Sequence, residues 1–327
     1  MGWGGGRIRR GKMRNQSVKA LSVSRPVFAI VNRDGLTGKV LASYQRACNL
    51  VTSDREIIAL VGPDIGNGPL NIVIEEISVL EGLKVGVPVT SSNGQLILGD
   101  SLVILLDGAQ LWRPEVNWEC LTGQRRRLEE GLAALCDWLS QNASTHVMTW
   151  NRAFLARAWT GIEGLLEALQ RGHRSGIAEN AALLAGLGPG LTPACDDYLM
   201  GLMAGLRVWP SAYGLSPQEA CRLILQATEG RTTLLSSAHL HSAAEGWLGQ
   251  DWHQLLAELV GGEAIGIQRA AQRILSSGAT SGAAALAGFL SPYLRSCRPD
   301  QRGSVGSSQS SAAQPMNPSS SSNLHQV

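Results

Sequence analysis

The sequence predicts an α+β fold in which a β-rich N-terminal half precedes an all-helical C-terminal half. Two observations support this prediction. Between residues 26 and 112, short β-branched runs are separated by Gly, Asn, Asp and Pro, whereas beyond Pro114 the apolar residues recur at helical spacing. The chain has 327 residues, of which 44% are hydrophobic, so it can fill the cores of about two domains.

Short strands are expected throughout the N-terminal half. They are Val27–Val31, Val40–Tyr44, Ile57–Val61, Leu70–Glu75, Lys84–Val89, Gln95–Leu98 and Leu102–Leu106. Turn residues at 32–35, 66–69 and 92–94 separate several of them. Most of the gaps are too short for helical crossovers, so we expect a largely antiparallel sheet that is barrel-like or sandwich-like.

The C-terminal half shows apolar stripes at intervals of three and four residues. One stripe comprises Leu128, Leu132, Leu135 and Leu139, and a capping box at Ser216–Glu219 marks the start of a later helix. The expected helices lie at about 128–139, 155–169, 176–186, 193–208, 217 onward, 233–247, 251–260, 263–276 and 282–294, the last capped by Ser281.

Composition divides the chain into four segments. Residues 1–25 are expected to be a disordered basic leader, 26–114 a β-rich domain, 115–295 a helical domain with a glycine-rich turn, and 296–327 a disordered Ser-rich tail. The leader holds seven of the 28 basic residues and no acidic one, so the rest of the chain has more acidic than basic residues. This acidic body argues against a nucleic-acid-binding groove.

Cysteine usage and hydropathy indicate the compartment. The six cysteines form no C-x-x-C pair, and a chain of this size favours buried free thiols over a disulfide framework. No window reaches the roughly 18 apolar residues of a membrane span, and the basic leader lacks the apolar core of a secretory signal. We therefore expect a cytoplasmic protein with no membrane partner.

Several common catalytic motifs are absent. The chain has no P-loop, H-E-x-x-H or G-x-S-x-G motif, and Leu191 stands where a dinucleotide-binding pattern requires glycine. His239, His241 and His253 are candidate metal ligands, but helix positions two apart point to different faces. Ordinary core or surface histidines are the simpler interpretation, and we expect neither a metal ion nor a cofactor.

The main candidate site is the segment G-L-G-P-G-L-T-P-A-C-D-D at 186–197. Gly188 and Gly190 permit a close backbone approach, Thr192 is placed to cap a helix, and Pro193 suits the first helical position. Free N–H groups at such a helix start attract phosphate or carboxylate. The pattern therefore predicts a site for a small anion.

Asp196 and Asp197 follow at the start of this helix and are the candidate catalytic residues. One of them would act as a base or hold an amide N–H. The simpler alternative is that both carboxylates only stabilise the dipole of a capped, buried helix. They lie about 100° apart around the helix axis, so both cannot face one ligand squarely.

A second turn of the same kind, S-G-A-T-S-G at 277–282, opens the last expected helix. Two glycine-hydroxyl helix starts within one helical domain can face each other across a pocket. Gly278, Ser281 and Gly282 are therefore candidate anion-binding residues, in addition to Gly188, Gly190 and Thr192 of the first turn.

The pattern G-L-G-P-G-L-T-P-x-x-D-D-Y-L-x-G resembles the signature of the AllH family, a subunit of oxamate carbamoyltransferase in bacterial allantoin catabolism. Other elements are similar to the same family, so the likeness spans roughly residues 27–292. These elements are the spacing of Thr233, Ser236, Leu240, Ala243 and Gly246, the late G-x-x-S-G turn, Asn67-Gly68-Pro69, and L-W-x-P at 111–114.

The resemblance implies a carbamoyl transfer in which oxalurate and phosphate give oxamate and carbamoyl phosphate, with AllF-like and AllG-like partner subunits. Thr233 and Ser236 then join the candidate substrate-binding residues. The chain departs from the family at Ala194-Cys195, where Ser-Gly is usual, and at Ala279, where histidine is expected. A non-catalytic assembly subunit and a small-anion-binding protein of an unassigned pathway therefore stay open, as does, more weakly, a small-molecule kinase.

Overall fold

The computed structural model describes residues 16–142, 152–210, 214–278 and 280–297. Within them, a closed sheet over residues 16–112 is followed by an all-helical half, which confirms the predicted α+β class. All six cysteines are free thiols, and Cys48, Cys195 and Cys221 are buried.

The N-terminal half is a barrel-like sheet. Its described strands are β1 (Gln16–Ser24), β2 (Thr37–Ser43), β3 (Ala47–Thr52), β4 (Ile57–Val61), β5 (Asn71–Ile74), β6 (Pro88–Ser92), β7 (Gln95–Leu98), β8 (Leu102–Leu105) and β9 (Gln110–Trp112). Their order is β5-β4-β3-β2-β6-β7-β8-β1-β9, and a further pairing of β1 with β5 closes the barrel. Among these strands the pairs β1–β8, β1–β9 and β4–β5 are parallel and the others are antiparallel, so the sheet is largely antiparallel, as expected.

Strand β1 corrects the prediction of a disordered leader for residues 16–24. Val18, Ala20 and Val23 are buried in the barrel core, while Lys19 lies on the exposed side of the same strand. The basic residues therefore concealed an amphipathic strand with a period of two residues. Residues 1–15 of the expected leader, and 298–327 of the expected tail, lie outside the described residues.

The segment Val27–Val31, which the sequence analysis assigned to a strand, is helical. Helix α1 (Arg25–Val31) has Ser24 as its N-cap, and the Ser24 hydroxyl accepts a hydrogen bond from the Val27 amide at 3.3 Å. Pro26 lies in the first turn. The Ser-x-Pro helix start outweighed the strand propensity of the β-branched residues.

The C-terminal half is helical throughout its described length. Its helices are α2 (Trp118–Thr122), α3 (Arg125–Asn142), α4 (Arg152–Arg171), α5 (Arg174–Leu184), α6 (Ala194–Val208), α7 (Pro217–Thr228), α8 (Leu234–Ala244), α9 (Gln250–Gly261), α10 (Ala264–Leu275) and α11 (Ser281–Ser296). Helices α3 to α11 correspond to the expected ones, and α2 was not expected. The Ser216 hydroxyl accepts from the Glu219 amide at 3.2 Å, so α7 begins at the predicted cap.

Helices α6 and α11 pack side by side with very close backbones. A Cβ on Gly201 would lie 1.8 Å from the Ala285 carbonyl oxygen, and a Cβ on Gly205 would lie 2.2 Å from that of Phe289. Residue numbers increase together along the contact, so the two helices run parallel. Their first turns are therefore neighbours.

The helical half covers one outer face of the barrel. In β3, Cys48 and Leu50 point into the barrel core, whereas Val51 packs outward in a small cluster with Leu235 of α8. Successive strand residues alternate between the two faces, so Asn49 also points outward, toward the helices. The site described below lies at this junction.

Candidate functional site

The glycine-rich turn before α6 differs from the expected cap. Pro193, with φ −55° and ψ 138°, is the N-cap residue, and the helix begins at Ala194. Thr192 is therefore not the cap, because Pro193 holds an extended conformation one residue later than expected. The Thr192 Oγ1 atom instead lies 3.3 Å from Oγ of Ser281, which is the first residue of α11.

The first amides of α6 are occupied within the chain. The Cys195 N–H donates to the Leu187 carbonyl at 3.1 Å, and the Asp196 and Asp197 N–H groups donate to the Pro193 carbonyl at 2.9 and 3.2 Å. The free N–H groups expected there are thus not available at these three positions. The turn closes on its own helix rather than leaving these amides open to an anion.

Glycine is required in this turn for conformational reasons. Gly186, Gly188 and Gly190 have φ values of 69°, 137° and 89°, in the region that L side chains rarely adopt. A Cβ on Gly188 would also lie 2.6 Å from the Ala194 nitrogen. The close backbone approach expected at Gly188 is therefore an approach to the chain's own helix.

Asp196 fastens the turn to the neighbouring helix start. Only 2% of Asp196 is exposed. Its Oδ1 accepts from the Gly186 N–H at 2.8 Å, and its Oδ2 accepts from the Thr232 hydroxyl. Burial raises the pKa of this carboxyl, and hydrogen bonds from Thr232, Gly186 and Ser236 oppose that rise. Both oxygens have internal partners, which leaves Asp196 a positioning role.

Asp197 differs from Asp196 in its hydrogen bonding and in its pKa. It is 6% exposed, and its Oδ2 has no hydrogen-bond partner among the described residues. Burial raises its pKa from the ordinary 3.8 to about 7; a hydrogen bond from the Ser281 hydroxyl acts in the opposite direction, and the Asp196 charge adds to the rise. A carboxyl with this pKa exchanges its proton near neutral pH, as a general acid or base must.

The start of α8 holds the glycine-rich turn from the other side. Thr233 is the N-cap of α8 and accepts from the Ser236 N–H at 3.1 Å. The Thr233 hydroxyl donates to the Leu191 carbonyl, and the Ser236 hydroxyl reaches the same oxygen at 3.5 Å. Both predicted site residues therefore bind the turn itself.

The start of α11 is the second glycine-hydroxyl turn. Gly278 has φ 70°, and a Cβ on Gly282 would lie 1.8 Å from the Ile274 carbonyl oxygen. Thr280, not Ser281, is the N-cap of this helix, because α11 begins one residue earlier than expected. The contact between Thr192 and Ser281 confirms that the two turns converge. Ala279 lies outside the described residues.

A cavity of about 340 Å³ lies between the barrel and the helices, and we call it the interdomain cavity. Ser277, Ser281 and Gly282 of the second turn line one part of it, with Gly201 of α6. Asp197 does not line the cavity, but Ser281, whose nearby hydroxyl lowers the pKa of Asp197, does. The two converging turns thus meet the cavity at the Ser281 hydroxyl.

Two further polar residues face the interdomain cavity. Asn49 of β3 is 7% exposed and lies beside the small apolar residues Ala47 and Ala59. His239 of α8 lines the cavity with Leu235, one turn away on the same helix face. Burial lowers the pKa of His239 to about 4, so the imidazole is neutral at physiological pH. Within the part of the chain that is described, neither side chain has a hydrogen-bond partner.

Sequence reasoning did not select Asn49, and it interpreted His239 as an ordinary histidine. It also omitted β3 entirely, because Asn49 interrupts an otherwise apolar run. A usable signal was present, since Asn is unfavourable within a strand and a buried amide requires a partner. The two other histidines are placed otherwise: His241 is exposed, and His253 Nε2 lies 3.1 Å from the Pro114 carbonyl oxygen.

Ala194 and Cys195, where the chain departs from the expected motif in the first turn, lie on another side of α6. They line an apolar groove between α4 and α11, not the interdomain cavity. Burial raises the pKa of the Cys195 thiol to about 12, so it is protonated. The replacement of the usual serine by Ala194 therefore does not change the lining of the interdomain cavity.

Among the described residues, no three His, Cys, Asp or Glu side chains are grouped closely enough to hold a metal ion. In the same part of the chain, no helix combines the length and apolar character needed to cross a bilayer.

Comparison with known proteins identifies both halves. Residues 19–111 match the AllH family N-terminal domain, and residues 184–292 match the family described as oxamate carbamoyltransferase subunit AllH. No solved structure matches the chain significantly. The two matches cover most of the chain and include the barrel, the glycine-rich turn and α11, so the chain belongs to the AllH family.

Proposed function

We propose that this chain is a subunit of a cytoplasmic oxamate carbamoyltransferase in allantoin catabolism, and that it forms part of the reaction site. The observation that carries the proposal is the Thr192–Ser281–Asp197 cluster at the wall of the interdomain cavity. It combines a hydroxyl that faces open space with a buried carboxyl whose pKa is about 7. Such a pair can move one proton during acyl transfer.

The reaction requires that proton movement. A phosphate oxygen attacks the ureido carbonyl carbon of oxalurate, and the bond from that carbon to the oxamate nitrogen breaks. The hydrogen phosphate loses a proton, and the departing oxamate nitrogen gains one. In the proposed mechanism the Ser281 hydroxyl contacts the substrate, takes the proton from the hydrogen phosphate and passes its own proton to ionised Asp197. The proton then returns from Asp197 through the same hydroxyl to the leaving nitrogen.

The lining of the same cavity supports a requirement for partner subunits. None of the described residues that line it is Lys or Arg, and Asp251 contributes a further carboxylate. Phosphate and oxalurate are both anions, and burying an anion without a compensating cation is strongly unfavourable. We infer that the AllF-like and AllG-like subunits supply the cations that complete the site.

The test is an assay of the reconstituted complex. Oxamate and carbamoyl phosphate are supplied to the chain with its partner subunits, and oxalurate and phosphate are measured. Asp197→Asn and Ser281→Ala should each reduce kcat by about 10²-fold, the range for losing a general acid–base group. Ser291→Ala, on the groove side of the same helix α11, is the matched control and should retain activity.

A non-catalytic assembly role is the second candidate. The observation that favours it is the internal use of Asp196, Thr233 and Ser236, each of which binds the chain's own turn. In that case the Thr192–Ser281–Asp197 cluster serves only packing. Complexes that contain folded Ser281→Ala or folded Asp197→Asn would then keep full activity, and the reaction site would be assigned to the partner subunits.

A further inference from the structure

The barrel side of the interdomain cavity has a polar wall that the proposed proton relay does not use. Asn49 is buried to more than nine-tenths, and its neighbours Ala47, Ala59 and Val61 on the same outer sheet face are small or apolar. Its amide makes no hydrogen bond within the described residues, so its donors and its acceptor are available to the cavity that the residue lines. A retained amide at such a position indicates a ligand that supplies the missing hydrogen bonds.

The facing wall offers a matching group. His239 projects from α8, which packs on β3 and β4 through Leu235. Because burial keeps the imidazole neutral, His239 presents one N–H donor and one ring-nitrogen acceptor. Asn49 presents two donors and one carbonyl acceptor. A primary amide likewise presents two donors and one carbonyl acceptor, so its hydrogen-bonding groups are complementary to those of both side chains.

Charge excludes the other small ligands of similar size. A carboxylate or a phosphate brings a negative charge, and no described Lys or Arg lines this cavity to compensate it. Among the described lining residues, an ammonium group would find the carboxylate of Asp251, which already faces Arg273 at 3.8 Å. An uncharged carbamoyl group satisfies both walls without a counter-ion.

We propose that Asn49 and His239 bind the uncharged carbamoyl group of the substrate through its primary amide, and so determine specificity for carbamoyl compounds. The identity of that substrate rests on the proposed function, whereas the amide-binding property does not. The amide would lie against the barrel and the anionic part of the substrate would extend toward the Ser281 side, where the partner subunits contribute cations.

Biuret is a suitable probe because it is uncharged and carries two carbamoyl groups, and oxalate is the charged comparison. Both are titrated into the full-length chain alone, and the side-chain amide signals of Asn49 and the ring signals of His239 are followed by NMR. Biuret should shift these signals in a saturable way, and oxalate should not. Equal binding of oxalate, or no shift with biuret, would overturn the proposal.

Two variants separate binding from a structural role. Asn49→Leu should weaken biuret binding at least tenfold while the denaturant midpoint stays close to that of the parent, since the amide makes no hydrogen bond within the described residues. His239→Phe should likewise weaken binding, and His241→Phe, at an exposed position on the same helix, should leave it unchanged. Unchanged biuret binding by Asn49→Leu would contradict the assignment.

Failure of the amide-site proposal can be distinguished from failure of the proposed function. Biuret binding without carbamoyl transfer by the reconstituted complex would retain the amide site and discard the reaction. Carbamoyl transfer with no effect of Asn49→Leu on the KM for carbamoyl phosphate would retain the reaction and discard the amide site.

Discussion

Asn67 and Gln250 join the barrel to the helical half through three hydrogen bonds. The Gln250 Oε1 atom accepts from the Asn67 backbone N–H at 3.2 Å and from its side-chain amide at 2.9 Å. The Gln250 backbone N–H donates in return to the Asn67 carbonyl at 2.8 Å. Both residues line the interdomain cavity, so this contact fixes the separation of its walls.

Replacement of Gln250 by Met should loosen this junction. The substitution keeps the length of the side chain but removes the acceptor of two hydrogen bonds, so we expect a loss of about 1 kcal/mol in the free energy of unfolding. Urea denaturation measures the change. Gln254→Met on the same helix is the control, since Gln254 donates to Glu258 across one exposed helical turn, and its loss should cost less than about 0.5 kcal/mol. Equal costs for the two variants would show that the contact contributes nothing.

Much of the fold could be predicted from local pattern. Helix positions follow the apolar stripes, and the Ser216 cap and the Thr233 helix start are readable because their side chains act within four residues. The closure of the barrel by β1 and β5 could not be predicted, because it depends on pairings such as Ala20 with Ile74 that no local signal specifies. Lys19 concealed the strand that makes this closure.

The candidate site was also predictable only where local sequence patterns define it. The turns at Gly188 and Gly278 have local signatures, and their convergence follows from the Gly201 contact between α6 and α11. Adjacent carboxylates look equivalent in a sequence. Only tertiary contacts distinguish Asp196, with two satisfied oxygens, from Asp197, with an unpartnered one.

Removal of the Asp196 carboxylate should destabilise the turn. Asp196→Ala leaves the Gly186 N–H and the Thr232 hydroxyl without their acceptor, and we expect a loss of about 1–3 kcal/mol in the free energy of unfolding. Asp196→Asn keeps one acceptor oxygen, so its free energy of unfolding should lie between those of Asp196→Ala and the parent. The change is measured by chemical denaturation at pH 7. An Ala variant as stable as the parent would mean that the carboxylate does not fasten the turn.

Gly186 should tolerate alanine much less well than Gly230. Both have nearly the same positive φ, 69° and 68°, so the conformational cost of a Cβ, about 1–2 kcal/mol, is shared. A Cβ on Gly186 would also lie 2.4 Å from the Arg231 carbonyl oxygen, whereas one on Gly230 has no atom within 4 Å. The melting temperatures of Gly186→Ala and Gly230→Ala should therefore differ clearly. If they fall equally, the steric part of the argument is wrong.

The pH dependence of stability should identify Asp197 as the carboxyl with the unusual proton affinity. Its pKa is about 7 in the folded chain against 3.8 ordinarily, so the folded state binds its proton more tightly. Below pH 4 the group is protonated in both states and has no effect. Between about pH 4 and 7 the unfolded chain has already lost the proton, so stability falls as pH rises, and above pH 7 it is constant. Each pKa unit corresponds to about 1.4 kcal/mol, which gives a decline of a few kcal/mol.

Asp197→Asn isolates this contribution, because asparagine does not titrate. The variant should be more stable than the parent at pH 8, equally stable near pH 4, and should lack the part of the decline that belongs to this carboxyl. Denaturant midpoints at pH 4, 6 and 8 give the comparison, and Asp64→Asn at an exposed position is the control for loss of a carboxylate. An unchanged difference between variant and parent across this range would place the pKa of Asp197 at an ordinary value. The buried carboxyl could then not exchange a proton with Ser281 at neutral pH.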